Sequence, residues 1–120
     1  MAEVSELDKA VAVLNARRAE EEADRQRRRT AACAFLKGFY EADVAPSKAL
    51  KQRGIASSFD GARLVLQRPE EGHFADGLAI VVGEQGEIDI GGRSLGRPAA
   101  GAEGATRNEL IAEIITHFSL

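Results

Sequence analysis

Two histidines, one cysteine and sixteen Lys/Arg are the residues with which this 120-residue chain would have to do chemistry. Metal binding needs ligands clustered at short spacing. His73 and His117 are far apart and no cysteine stands near either. His73 has Glu70, Glu71 and Asp76 beside it, which reads first as a solvated turn. His117, in the last turn of a helix-like segment, suits the negative end of a helix dipole better than a metal. No metal and no cofactor are therefore expected. Cys33, in "TAACAFLKGFY", reads as a small buried core residue rather than a nucleophile. No nucleophile elbow or phosphate loop is present, so no catalytic residue is assigned and the reading leans against an enzyme.

Anion binding has more to work with. Residues 46–68 carry Lys48, Lys51, Arg53, Arg63 and Arg68 against Asp60 alone, in a chain whose formal charge is −3. "GGRSLGR" adds glycines that free backbone N–H groups, with Arg93 and Arg97 as counter-charges. Lys48, Lys51, Arg53, Arg93 and Arg97 are thus the residues an anion site would use. The acidic last third of the chain competes for the same charges. "KALKQRGIASSFDGARL" has some spacing of a helix-turn-helix, but Asp60-Gly61 falls where an apolar contact and helix formers are needed.

The stretch "NARRAEEEADRQRRRT", Asn15 to Thr30, holds six arginines among four acids. On a helix, Arg17–Glu21, Arg18–Glu22, Glu21–Arg25 and Asp24–Arg28 are i,i+4 neighbours. This is the wet side of a long helix whose arginines are neutralised by their own neighbours, with Arg27 and Arg29 least engaged.

That helix is the dominant element. From Val4 to Glu41 the sequence has no proline and only Gly38, and Ala, Arg, Glu and Leu predominate. Ser5 is placed to cap it. Val4, Leu7, Val11 and Leu14 hold alternating a and d heptad positions. The same phase passes through Arg18, Glu21, Arg25 and Arg28 and returns to apolar residues at Ala32, Phe35 and Phe39. A phase that survives a polar interval predicts one continuous helix; a helical hairpin, with Thr30 capping its second arm, is the alternative. A continuous helix of this length reaches roughly 55 Å. A compact chain of 120 residues has a radius of gyration of about 14 Å. The N-terminal half should therefore project and offer its apolar stripe as a coiled coil.

Pro46 ends this helix, Ser47 can cap a short second one, and Gly54 can close it. "ARLVLQR", "LAIVV" and "EIDI" then alternate as three antiparallel strands, with a hairpin at "GEQGE" that puts Gly86 in the left-handed position. "GGRSLGRPAAGAEGA" reads as a link without periodicity. "TRNELIAEIITHF" is an amphipathic helix with Thr106 and Glu109 as a capping box. Its apolar face should meet the strands in a core of Leu64, Leu66, Ile80, Val82, Ile88, Leu110, Ile114 and Phe118.

The expected architecture is α+β: residues 1–45 a long helix that self-associates, and residues 46–120 a small α+β unit, in a single domain overall. The function that follows is a non-enzymatic interaction or assembly module. It would form a homodimer or higher homo-oligomer through Val4, Leu7, Val11 and Leu14, with room for another protein partner. The alternative is a small nucleic-acid-binding accessory protein using the 46–68 segment and the helix arginines. The apolar run Ala31–Tyr40 contains Lys37 and is half the length of a membrane span. No basic segment precedes the first apolar run. Neither a membrane nor a leader is expected, and the lone cysteine leans towards the cytoplasm.

Overall fold

The computed structural model describes residues 5–68, 76–98 and 103–120. Its first element is α1, Glu6–Phe39, unbroken over 34 residues. The Ser5 hydroxyl accepts from the Asp8 N–H at 3.0 Å, satisfying one of the helix's orphan donors. The continuous helix is thus observed, not the hairpin. Below Phe39 the chain widens into a π-helical turn, Tyr40–Val44, rather than stopping at once. The short helix α2, Lys48–Gln52, is capped by Ser47 and followed by Gly54 at φ +70°.

The sheet has five strands, not three: β1 Ala56–Phe59, β2 Arg63–Arg68, β3 Asp76–Val82, β4 Ile88–Ile90 and β5 Arg93–Ser94. They form an antiparallel meander in sequence order. The two additional strands are edges made by turns. Asp60-Gly61 is a hairpin signal: the Asp60 carboxylate accepts from the N–H groups of Ala62 and Arg63, and Gly61 has φ +108°. Gly91 and Gly92, at φ +57° and +86°, likewise turn β4 into β5. Both segments are too short and too polar to show periodicity.

One face of the sheet carries the core. Leu64 lies opposite Ile80 and Ile80 opposite Ile90; Leu66 lies opposite Leu78, and Val82 opposite Ile88. All are buried, because side chains two apart on a strand share a face. Ala32, Leu36 and Phe39 of α1 join them, as do Leu110, Ile114 and Phe118 of the C-terminal helix α3, Glu103–Phe118. Every residue expected in the core is there, and one cluster unites both sides of residue 46. The capping box is not observed: α3 begins a turn earlier, at Glu103, and Thr106 is buried inside it. Among the described residues no helix is long and apolar enough to cross a membrane.

Only the C-terminal third of α1 shares this core. Its N-terminal half runs on past the sheet, giving a radius of gyration of 20.3 Å and extents of 76 × 36 × 20 Å. That is well above the ~14 Å of a compact chain of this size.

Candidate functional site

What the fold leaves unpaired is an overhanging helix, and its geometry starts where α1 leaves the sheet. The β3–β4 turn abuts α1 at Arg28. A side chain on Gly86 would sit 2.6 Å from the Arg28 carbonyl oxygen, so glycine is required both by that contact and by its φ of +81°. The Arg28 Nη2 donates to Gln85 Oε1 at 3.0 Å, and Arg25 stands 3.7 Å from Glu84. These two arginines tie helix to hairpin. They are half-buried, unlike the rest of the arginine stretch.

The helix-surface pairing differs from the i,i+4 scheme. Glu22 pairs with Arg25 and Asp24 with Arg27, both three residues apart. The Arg25 guanidinium holds the Glu22 carboxyl below its usual range. Arg28 is drawn to Gln85 rather than Asp24, because it lies on the side of α1 that faces the hairpin. Arg27, expected to be little engaged, pairs with Asp24.

Beyond Arg25, no residue of α1 is buried back to its start. Leu7 is 72% exposed, Val11 45% and Leu14 46%, and Val13, on the opposite side, 60%. Leu7, Val11 and Leu14 lie within about a quarter turn of one another at 100° per residue. They form one apolar stripe that nothing among the described residues covers. Val4, which continues its spacing, lies outside the described residues. Phe39, which shares the heptad phase of this stripe, is spent on the chain's own core, and Phe35 is half-buried against it.

The basic residues do not converge. Lys48 and Lys51 lie on α2, and Arg53 just precedes the edge strand β1, whereas Arg93 is in β5 at the opposite edge. Arg93 faces α3, 2.8 Å from Glu113 and 3.9 Å from Glu109, so acids of the last third do engage it. Its loop backbone is used by the sheet too: the Leu95 N–H donates to Ile88 and the Ile88 N–H to Gly96. Arg97 lines a cleft of about 500 Å³ with Arg28, Ala31 and Gly86.

Elsewhere, Asp43 of the π turn accepts from Arg107 at 2.7 Å, and this pairing raises the Arg107 pKa above its usual value. An apolar groove of about 310 Å³ runs between α2 and α3, lined by Val44, Leu50, Ile111 and Ile115 among others. Cys33 is a free thiol, half-buried against the core. The His117 ring meets Phe118 edge-on at 4.6 Å. No group of three metal-ligating side chains occurs among the described residues, and His73 lies outside them.

Comparison of the chain with protein-family models, curated proteins and solved structures returned no match. Any functional reading therefore rests on the geometry above.

Proposed function

We propose that this protein is a non-enzymatic assembly module that self-associates through the projecting half of α1. The observation that carries the reading is the exposure of Leu7, Val11 and Leu14 in one stripe on a helix that has left its own core. Leaving such side chains in water forgoes about 1.5–3 kcal/mol each relative to full burial. A charged, propensity-driven helix could remain solvated without leucine or valine at these positions, and nothing among the described residues of the monomer covers them.

Association also costs several kcal/mol in lost rotational and translational freedom. Two heptads barely exceed that, so the complex is weak and concentration-dependent. Light scattering is the appropriate test, since it reads mass independently of an elongated shape. Wild type should exceed 12.8 kDa at high micromolar concentration, and Leu7→Asp/Leu14→Asp should stay at that monomer mass with an unchanged melting temperature. A wild type that remains monomeric removes the reading.

A further inference from the structure

Resting on that self-association, we infer that the complex is a two-fold dimer with antiparallel helices, Leu7 of one copy lying across from Val11 of the other. The first argument is the phase of α1 relative to its own body. Leu7 and Arg25 are eighteen residues apart, as are Val11 and Arg29, and Leu14 and Ala32. Eighteen residues are about five whole turns. Arg25 meets the hairpin, Arg29 lines the cleft beside Val82 and Gly83, and Ala32 is in the core. The stripe therefore continues the face that packs on the sheet. A second helix laid on the stripe and running parallel to α1 meets the β3–β4 turn at the level of Arg25. Its own sheet would claim the same space.

The second argument is charge. A parallel pair sets each a or d residue against its own copy, so Arg18, Glu21, Arg25 and Arg28 would each meet a like charge. Like charges set face to face across an interface oppose association. An antiparallel pair avoids all four. In the register where paired positions sum to 18, Leu7 of each copy lies across from Val11 of the other. Arg18 and the polar interval after it then face no described residue of the second copy. Ser5 of that copy, its first described residue, stands level with residue 13, twelve residues short of Arg25. That is roughly 18 Å along the helix axis from the level of the hairpin. The register forms the Leu7–Val11 pair twice and places no described part of one copy in the path of the other.

The test is a pulsed dipolar measurement between spin labels on full-length protein carrying Cys33→Ala and Ala23→Cys, with dichroism confirming the fold and light scattering the mass on the same sample. Ala23 is exposed and lies away from the stripe. In the antiparallel register the two labels are 28 residues apart along the axis, which is about 42 Å. With helices ~8–10 Å apart the label distance becomes roughly 45 Å. A parallel pair puts them within about 25 Å. A distance near 45 Å at dimeric mass is the expected result. Any clearly different distance at dimeric mass overturns the orientation and register while leaving self-association standing. Monomer mass without dipolar coupling overturns both.

Discussion

Gly86 ties the body of the protein to its long helix, and replacing it with alanine tests that junction. Two costs follow from the structure. The first is conformational: φ of +81° is a left-handed geometry that costs a residue with a side chain about 1–2 kcal/mol. The second is steric. The new Cβ would sit 2.6 Å from the carbonyl oxygen of Arg28 and 2.8 Å from its carbonyl carbon. Both belong to helix backbone, which cannot rotate away, so the turn must withdraw. Withdrawal strains the hairpin, by about 1–3 kcal/mol on the scale of overpacked sites. It also stretches the 3.0 Å Arg28–Gln85 hydrogen bond, worth roughly 0.5–1.5 kcal/mol. Gly54 supplies the control. Its φ is +70°, but nothing lies within 4 Å of its would-be side chain, so Gly54→Ala incurs the conformational cost alone. Urea denaturation should place Gly86→Ala roughly 2.5–6.5 kcal/mol below wild type and Gly54→Ala only about 1–2 kcal/mol below. The melting temperature of Gly86→Ala should fall by roughly 10 °C or more. Equal losses in the two variants would refute the argument that the turn is held hard against α1.

Three further outcomes are expected. Ile114→Ala should lose about 2–5 kcal/mol in urea denaturation, because its side chain is buried in the core cluster; a loss under about 0.5 kcal/mol would contradict that packing. Backbone N–H donors, first Ala62 and then Arg63, hold the Asp60 carboxyl below its usual range. A depressed folded-state pKa stabilises above the unfolded value of about 4 and is lost as pH falls through the folded value. The stability gap between wild type and Asp60→Asn should therefore narrow from pH 7 to pH 3, and a constant gap would be inconsistent with the turn. Arg27→Ala/Arg29→Ala should leave fold and mass unchanged, and wild type should show no tight binding to labelled DNA or RNA near 0.15 M salt. Salt-sensitive binding abolished in that double variant would favour the nucleic-acid alternative instead.

The elements with strong period were legible without coordinates. α1 was readable because its heptad phase crosses the polar interval intact, and the core strands because Leu64/Leu66, Ile80/Val82 and Ile88/Ile90 alternate. β1 and β5 were not, since "ASSF" and "RS" bury little and exist only because Asp60-Gly61 and Gly91-Gly92 fold them back onto stronger neighbours. The start of α3 is hidden in the sequence because Thr106 resembles a cap in isolation, whereas the fold uses it as a small buried residue. The stripe at Leu7, Val11 and Leu14 was visible as spacing. Its alignment with the body-facing side of α1 depends on Arg25 and Arg28 reaching the hairpin, a long-range contact that local helix pairing concealed.

Sedimentation equilibrium of wild type from low to high micromolar concentration addresses self-association most directly. A weight-average mass that rises with concentration from 12.8 kDa towards twice that value is expected. A mass fixed at 12.8 kDa across the whole range would contradict it.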